Sequence, residues 1–488
     1  MRKVFCCLIC IWILTLACNI PRQSISSTFA PQASATPVPV RTVSSGYESR
    51  PAYSPGELVE YIVQTGDTLP ALAAHFNTRE AEIRSANPAL PASLTTLPPG
   101  MPLKIPIYYE ALWGNPYQIL PDSLFINGPA QRNFDTVAFV DSQPGWLKTY
   151  RDIVGGTEKR GGELIDQVAL NFSISPRVLL AIVQYQTGAL TNPINPNPDD
   201  PFPLGYPQKT HQRLYQQLVL TANTLNNGYY GWRSGTLTEF EHLDGRLEVP
   251  DPWQNAATVA LQYHFSNVLN KEDYAKAISP DGFASTYANL FGDAWQNAEP
   301  HLPGSLEQPP LVLPFLPGKR WALTGGPHTG WGKGEPFAAL DFAPPSEYSG
   351  CAPSKEMVTS VGEGIVARSG NAVLVVDMDF DSDERTGWNI FYLHLSGPIP
   401  RIGKMLKTRD PVGFPSCEGG STTGTHVHIA RKYNGEWILA GGPLAFNLEG
   451  WIAKNGDEAY EGELQRFGNI VRASTLSESF SQIESTAP

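Results

Sequence analysis

Apolar and polar positions follow two different periods over residues 56–107. Val59, Tyr61 and Val63 alternate with polar positions, which is typical of a half-buried strand. Apolar residues then recur three and four positions apart, the spacing of one helix face. A second short helix and another alternating segment follow, so the pattern predicts the order strand, helix, helix, strand. The apolar positions of the last three elements are Leu69, Leu72, Ala73 and Phe76, then Ile83, then Leu103 and Ile105.

Residues 108–306 carry mainly helical patterns. One helix is predicted after Ser175-Pro176, because a serine cap followed by proline favours a helix start, and another after Asp251-Pro252. The segment NNGYYGW at 226–232 has the composition of a turn and predicts a break between helices. We therefore expect a mainly α-helical middle domain.

Residues 308–464 have short alternating apolar runs and frequent glycines. This pattern predicts a mainly β C-terminal domain. Residues 465–488 are expected to form a C-terminal tail.

The N-terminus has a pattern of its own. Arg2 and Lys3 precede fourteen residues of mostly apolar character, Val4 to Ala17, and Cys18 follows them. Because a bilayer span takes about 20 residues, residues 1–18 are read as a secretory signal peptide. Ala17-Cys18 resembles a bacterial lipobox, which implies lipidation of Cys18, with simple cleavage as the alternative. Residues 19–55, rich in Pro, Ser, Thr and Ala, predict a disordered linker.

The charge balance narrows the classes of partner. The chain has 488 residues, with 35 Lys and Arg against 47 Asp and Glu, a net charge of −12, and no basic run. A nucleic-acid partner is therefore not expected. The signal peptide predicts an extracytoplasmic location in the cell envelope, with membrane attachment if Cys18 is lipidated. In that oxidising compartment Cys351 and Cys417 are expected to form a disulfide, and two buried thiols are the alternative.

Three segments within residues 56–107 resemble the LysM family: YIVQTGDTLPALAAHF, SANPAL and LPPGMPLKIP. LysM modules bind N-acetylglucosamine-containing glycans such as peptidoglycan. The resemblance implies that the sugar is bound by Gly66, Asp67, Thr68, Asn87 and Pro88. The alternative is that these residues only shape turns and cap a helix.

The segment SISPRVLLAIVQYQTGAL at 173–190 resembles the first catalytic helix of lysozyme-like lytic transglycosylases. That family has a glutamate where this chain has Gln186, and an amide cannot donate a proton to a glycosidic oxygen. We therefore expect a degenerate lysozyme-like domain without the acid. Glu239 or Glu241 is the alternative acid, although isolated surface carboxylates are common without such a role.

Four of the nine histidines cluster in the C-terminal domain, at positions 328, 394, 426 and 428. In THVHIA, His426 and His428 stand two apart, so on a strand both rings project to one face. By the same alternation His394 is expected on the strand face of Tyr392. A catalytic zinc usually has three protein ligands and one open position, and Asp341, between apolar neighbours, is the candidate third ligand.

The segments GGPHTGWGKGEPFAALDFAP, FYLHL and STTGTHVHIA resemble the lysostaphin/LytM-type zinc endopeptidases of bacterial cell walls. His328 stands thirteen positions before Asp341, which is the spacing of the beta-lytic subgroup. The resemblance implies that His328, Asp341 and His428 bind Zn²⁺. It also implies that His394 and His426 activate the water and stabilise the oxyanion.

Asp377, Asp379 and Asp381 have the spacing of a calcium-binding EF-hand loop. Ser382 stands where that loop needs glycine, and Trp388 where it needs a bidentate glutamate. The run is therefore interpreted as a solvated hairpin loop.

These interpretations combine into a secreted cell-wall hydrolase with three parts. A LysM module docks on glycan, and a zinc domain cleaves peptide bonds of peptidoglycan. The helical domain between them spaces or orients these two parts. The alternative is a non-catalytic envelope scaffold that recruits or activates other hydrolases. Loss of zinc ligands would be the signature of such a scaffold, and none is lost from the motif.

Overall fold

The structure is a computed structural model that describes residues 50–108, 114–296 and 298–486. The predicted signal peptide, Cys18 and most of the predicted linker lie outside the described residues. Within these ranges, no helix combines the length and apolar character needed to cross a membrane.

The first domain has the predicted strand, helix, helix, strand order. Thr68 caps the first helix, since its hydroxyl accepts a hydrogen bond from the Ala71 amide, and Pro70 lies in the first turn where its missing N–H costs nothing. The two strands pair antiparallel and place Tyr61 opposite Leu103 in a small core. The elements are β1 Glu57–Ile62, α1 Leu69–His75, α2 Glu80–Ala86 and β2 Pro102–Ile107.

The middle region is mainly helical, and both predicted helix starts are confirmed. Ser175 caps one helix by accepting from the Val178 amide, and another helix begins at Ala256. The elements are α3 Asp122–Phe125, α4 Thr136–Ser142, β3 Arg151–Val154, β4 Thr157–Arg160, α5 Gly161–Phe172, α6 Pro176–Thr187, α7 Arg213–Ser234, β5 Phe240–Glu241, β6 Leu247–Glu248, α8 Ala256–Ser266, α9 Lys271–Ala277 and α10 Ser285–Phe291.

The predicted turn at 226–232 is wrong, because this segment lies inside the 22-residue helix α7. Gly228 allows α7 to approach α8 closely, and a side chain there would collide with the backbone of Ala260. Tyr229, Tyr230 and Trp232 are buried in the domain core. Packing of large aromatic side chains outweighs the low helix propensity of glycine and asparagine here.

The third domain is built of strands, as the pattern predicted. A nine-stranded sheet has the order β14-β10-β11-β12-β16-β8-β7-β22, with β17 paired to β16, beside sheets β13-β15-β9 and β18-β19-β20-β21. The strands are β7 Arg320–Thr329, β8 Phe337–Ala343, β9 Val358–Thr359, β10 Gly364–Gly370, β11 Val373–Asp377, β12 Trp388–Leu393, β13 Leu395–Ser396, β14 Met405–Leu406, β15 Pro411–Pro415, β16 Val427–Tyr433, β17 Glu436–Ile438, β18 Asn447–Leu448, β19 Trp451–Asn455, β20 Gly462–Arg466, β21 Asn469–Arg472 and β22 Gln482–Glu484.

The nine-stranded sheet is covered on both faces. Phe391, Ala430 and Trp437 on one face belong to the same apolar cluster as the helices of the middle domain. Tyr392 and Ile429 on the other face pack in a cluster made within the third domain. The middle and third domains therefore share one core.

The C-terminal boundary predicted at 464 is too early. Residues 465–472 contain the end of β20 and all of β21. Strand β22 pairs with β7, placing Ile483 opposite Trp321. Pairing of β22 covers an edge of the main sheet, so the segment interpreted as a tail is part of the domain. At the other end of the described chain, Arg50 of the predicted linker is paired with Asp251 of the middle domain.

Candidate metal centre and substrate cleft

Neighbouring strands bring the three predicted metal ligands together. Asp341 of β8 lies directly opposite His428 of β16, and directly opposite residues on one face of a sheet are nearest neighbours. His328 comes from β7, which pairs with β8 through irregular register shifts. All three side chains are buried.

The ligand atoms of these side chains converge on one point. His328 Nε2 and His428 Nδ1 each lie 3.2 Å from Asp341 Oδ1, and the two ring nitrogens lie 3.1 Å apart. Zinc bonds of 2.0–2.1 Å in a tetrahedron would separate neighbouring ligand atoms by about 3.3 Å. The three atoms therefore have the spacing of a zinc tetrahedron.

Hydrogen bonds from the rings fix which nitrogens face the centre. His328 Nδ1 lies 2.8 Å from the Gly326 carbonyl and His428 Nε2 lies 3.2 Å from the Gly330 carbonyl, so each of these nitrogens carries a proton and donates it. The opposite nitrogens then present lone pairs to Asp341 Oδ1, which is buried and accepts no hydrogen bond among the described residues. Three lone-pair atoms at this distance repel one another unless a cation lies between them.

His394 follows the last residue of β12 and has φ of +63°, in the left-handed region. This turn of the backbone takes its ring to 4.6 Å from the His426 ring and 6.2 Å from the His428 ring. The predicted shared face with Tyr392 is therefore wrong, since the Tyr392 side chain packs on the opposite side of the sheet. The expectation assumed regular alternation, which a left-handed residue interrupts.

His394 and His426 are also oriented by hydrogen bonds to backbone carbonyls. His394 Nδ1 donates to the Glu418 carbonyl at 2.7 Å, and His426 Nδ1 donates to the Gly424 carbonyl at 2.8 Å. His426 Nε2 lies 3.6 Å from Asp341 Oδ2, outside the three-atom group. The two rings thus lie beside that group with Nε2 unprotonated.

Burial and neighbouring groups shift the pKa values of the histidines and of Asp341 at the centre. Burial lowers the pKa of His428, and burial together with the neighbouring His426 lowers the pKa of His394 to about 4. Burial raises the pKa of Asp341, but its interactions with the His328 and His426 rings outweigh burial and hold the pKa well below its usual value. His394 and His428 are therefore neutral at neutral pH while Asp341 is ionised.

The centre lies at the floor of a cleft of about 1420 Å³. Asn171, Phe172 and Tyr215 of the middle domain line one side, and loops of the third domain that include Tyr348 line another. The predicted disulfide is present, with Cα atoms of Cys351 and Cys417 5.7 Å apart. It joins two of the loops that wall the cleft, so the fold holds open a space of peptide size beside the histidines.

Sequence reasoning missed Tyr460. Its ring stacks on His328 with centroids 4.2 Å apart and planes 22° from parallel. Tyr460 lies between β19 and β20, and the Gly326 amide donates to its carbonyl. An aromatic residue in a loop far along the chain gives no sequence signal of this contact.

The predicted sugar-binding residues fall into two groups. Gly66 and Asp67 are buried against the middle domain: Arg233 donates to the Thr65 carbonyl, and any side chain at Gly66 would collide with its guanidinium. Arg233 also pairs with Asp122 at 3.1 Å and with Glu436 of the third domain at 3.2 Å. One arginine therefore connects all three domains beneath this turn.

Asp67 and Thr68 have structural partners inside the module. The Asp67 carboxylate accepts hydrogen bonds from the Tyr61 hydroxyl and the Gln64 amide, both at 2.7 Å, and Thr68 caps α1. On the second loop, the Asn87 side chain bonds the backbone of Lys104 in both directions, and Pro88 is exposed. The turn at Gly66 is thus covered by the middle domain, whereas the loop at Asn87 and Pro88 is accessible at Pro88.

Comparison with known proteins gives two family matches. Residues 118–305 match the family "LasA, N-terminal domain", and residues 61–106 match the LysM domain. The chain is 25% identical to "Protease LasA" of Pseudomonas aeruginosa over 378 residues, covering 71% of this chain and 81% of the relative. It is 25% identical over 165 residues to "Beta-lytic metalloendopeptidase" of Achromobacter lyticus, covering 32% of this chain and 41% of the relative.

A solved structure of pseudoalterin, described as an M23 metalloprotease from the deep sea, aligns with a TM-score of 0.29 and 22% identity. The alignment covers 34% of this chain and 96% of pseudoalterin. A zinc-containing peptidase from Vibrio cholerae aligns with a TM-score of 0.21 and 24% identity, over 30% of this chain and 42% of that one.

The site and the sequence relatives define the class of the protein as a metallopeptidase. More particularly, the chain is similar to LasA and to the beta-lytic metalloendopeptidase, as expected for a LytM-type enzyme, and it carries a LysM module.

The lysozyme likeness of the middle domain stays a prediction. Gln186 lies in α6, where its amide nitrogen donates to the Leu204 carbonyl at 3.2 Å. Glu239 and Glu241 are both exposed; Glu239 precedes the short strand β5, and Glu241 is its last residue. The family match assigns this region to a domain found at the N-terminus of LasA.

Proposed function

We propose that this chain is an exported, zinc-dependent endopeptidase that hydrolyses peptide bonds of peptidoglycan. The observation that carries the proposal is the group of three lone-pair atoms from His328, Asp341 and His428 at the floor of an open cleft. The named activities of the relatives, protease and metalloendopeptidase, support a peptide bond as the target. The LysM match supports a cell-wall glycan as the surrounding polymer.

The donor set fits zinc. Two imidazoles and one carboxylate are ligands that Zn²⁺ takes in catalytic sites, and the buried Asp341 Oδ1 lacks a hydrogen-bond donor among the described residues. In our proposal His328 Nε2, His428 Nδ1 and Asp341 hold the metal. When bound, zinc supplies Lewis acidity, which makes water more acidic and polarises a carbonyl.

His394 and His426 are proposed as the catalytic residues. Because each donates its Nδ1 proton to a backbone carbonyl, each presents an unprotonated Nε2 to the space beside Asp341. Either ring can accept a proton from the attacking water, and a ring protonated at Nε2 can donate to the oxyanion that develops on the peptide carbonyl. The lowered pKa of His394 keeps that ring neutral and able to accept a proton.

The LysM module is proposed to hold the enzyme on glycan through Gly66, Asp67, Thr68, Asn87 and Pro88. Use of the Gly66 turn would require the module to separate from Arg233, while Pro88 is exposed in the docked arrangement. Export through residues 1–18 and lipidation of Cys18 belong to the same proposal, since peptidoglycan lies outside the cytoplasmic membrane. We also propose that the middle domain orients the other two and has no glycosidase activity.

The test combines metal analysis with product analysis. The purified chain should contain close to one zinc per molecule and should release free amino groups from cross-linked peptidoglycan. His428→Ala should lose most of the metal and the activity, whereas His211→Ala, at a residue that does not line the cleft, should keep both. Mass spectrometry of the fragments identifies the bond that is cut and shows whether new reducing ends appear.

Two outcomes would contradict the proposal. Full zinc occupancy in His428→Ala would make the ligand assignment wrong. A zinc-loaded chain that releases no amines from any cross-link type would favour the non-catalytic scaffold.

A further inference from the structure

The hairpin between β11 and β12 contains a second group of carboxylates. One oxygen from each of Asp377, Asp379 and Asp381 lies within 4.8 Å of the others. Asp377 is fully buried, whereas Asp379 and Asp381 are exposed. The interpretation of this run as a solvated loop is therefore wrong for Asp377. Its buried carboxylate accepts hydrogen bonds from the Asp379 and Ser382 amides at 3.2 and 2.8 Å, and it has further lone pairs that an ion could use.

Asn389 provides a separate observation that points to a ligand. Its side chain is fully buried, and its Oδ1 has no hydrogen-bond partner among the described residues. The amide orientation is fixed, since its nitrogen donates to the Thr386 carbonyl at 2.7 Å. A buried carbonyl oxygen without a donor is costly in a folded protein, and a cation is one way to satisfy it.

The strand register places the Asn389 side chain beside Asp377. Asp377 lies directly opposite Asn389 in the β11–β12 pair. The adjacent pair is hydrogen-bonded, because the Met378 amide donates to the Trp388 carbonyl. Pairs alternate in antiparallel sheets, so Asp377 and Asn389 form a non-hydrogen-bonded pair, in which side chains on the same face approach most closely.

Asp379 folds back towards the same place. A side chain on Gly387, which has φ of +55°, would collide with the Asp379 carboxylate. In the described structure neither Asp377 nor Asp379 is paired with a lysine or arginine. Arg132 pairs instead with Asp381 at 2.9 Å and with Asp383 at 3.1 Å. Two close carboxylates, one of them buried, thus have no basic partner.

We propose that this hairpin binds a calcium ion through the carboxylates of Asp377, Asp379 and Asp381 and the amide oxygen of Asn389. The ligand set consists only of oxygen and comes from a loop of irregular geometry, which suits Ca²⁺ better than Zn²⁺ or Mg²⁺. The hairpin also contacts the middle domain through Arg132, and β12 leads directly into His394. Bound calcium stabilises this hairpin, and the inference does not depend on the proposed peptidase activity.

The experiment uses the full chain with its zinc retained, after removal of calcium by dialysis. Tb³⁺ is the first probe, because its luminescence is sensitised by a nearby indole and Trp388 adjoins Asn389. We expect saturable luminescence that millimolar Ca²⁺ displaces, and a melting temperature that rises with added Ca²⁺. Asp379→Asn lies at an exposed position and leaves the core intact. It should raise the Tb³⁺ and Ca²⁺ concentrations needed for half of each response by about tenfold or more.

The matched control is Asp457→Asn, an exposed aspartate in another loop of the same domain. It should respond to Tb³⁺ and Ca²⁺ as the unaltered chain does. The proposal is overturned if the unaltered chain shows no saturable response at millimolar Ca²⁺, or if Asp379→Asn and Asp457→Asn bind equally. Displacement of Tb³⁺ by Mg²⁺ at the same concentration as Ca²⁺ would overturn the assignment to calcium.

Discussion

Two predicted binding sites of this chain differ in how the domains around them are arranged. The histidine centre lies at the floor of an open cleft, although the face of the sheet that carries it packs on the middle domain. The Gly66 turn of the LysM module is instead covered by Arg233 of that same domain. One helical domain thus leaves the catalytic cleft open and closes part of the proposed glycan site.

The difference follows from the kind of contact that each site makes. At the cleft the middle domain contributes apolar lining side chains such as Phe172, which is not one of the proposed metal ligands. At the LysM turn it contributes a buried charge that bonds the module's own backbone. Apolar side chains can line an open cavity without partners. A buried guanidinium needs hydrogen-bond or ionic partners, and Arg233 takes one of them from the LysM turn, so the turn stays covered.

The largest expected effect is at Arg233. Arg233→Met should destabilise the chain by about 3–5 kcal/mol, because Asp122 would be left buried without a basic partner and Glu436 would keep only His301 and Tyr229. Urea unfolding of the full chain measures the change. Arg84→Met removes an exposed pair with Glu80 and should cost less than about 1 kcal/mol. Equal losses in the two variants would mean that the closed turn does not depend on this network.

The next effect is on catalysis in the open cleft. His394→Ala and His426→Ala should each reduce amine release from peptidoglycan by about a hundredfold or more while zinc content stays unchanged, because both rings lie beside the three-atom group and outside it. Rates and elemental analysis are measured on the same samples. If either variant cleaves at the normal rate, that histidine has no catalytic role.

The closed turn itself gives a smaller effect. The LysM module has its own core, so the fragment 56–107 should bind insoluble peptidoglycan about tenfold more tightly than the full chain, in which the Gly66 turn must first be freed. Co-sedimentation at several concentrations gives both affinities. Equal affinities would show that the exposed side near Pro88 is sufficient for binding.

The smallest expected effect is a pH dependence of the closed arrangement. Burial lowers the pKa of His75, which stacks on Trp232, to about 3. Its stabilising contribution is complete above the unfolded pKa near 6.5 and is lost as pH falls towards 3. Burial raises the pKa of Asp67 to about 6, so Asp67 acts in the opposite direction between pH 6 and 3.8.

The two contributions are separated by a variant. Between pH 6.5 and 5.5 the His75 contribution should fall by about 1 kcal/mol, and His75→Gln, whose amide can still donate to the Trp232 carbonyl, should lack this loss. Denaturant unfolding at the two pH values, compared between His75→Gln and the unaltered chain, measures the difference. An identical pH dependence in both would show that His75 is not held neutral.

The sequence by itself determined the LysM fold, the strand-rich third domain and the group of side chains at the centre. These inferences rest on short-range signals: periodic apolar positions, the capping residues Thr68 and Ser175, and a two-residue spacing that puts His426 and His428 on one face. Signals of this kind depend only on residues that are close together in the sequence, so they can be recognised without a structure.

Only the tertiary structure decided the rest, because it depends on contacts between residues far apart in the chain. Packing of α7 against α8 kept NNGYYGW helical, and pairing of β22 with β7 brought the predicted tail into the sheet. The left-handed backbone at His394 and the burial of Asp377 have the same origin. The placement of Arg233 beneath the Gly66 turn joins three domains, and no local pattern in the sequence encodes that contact.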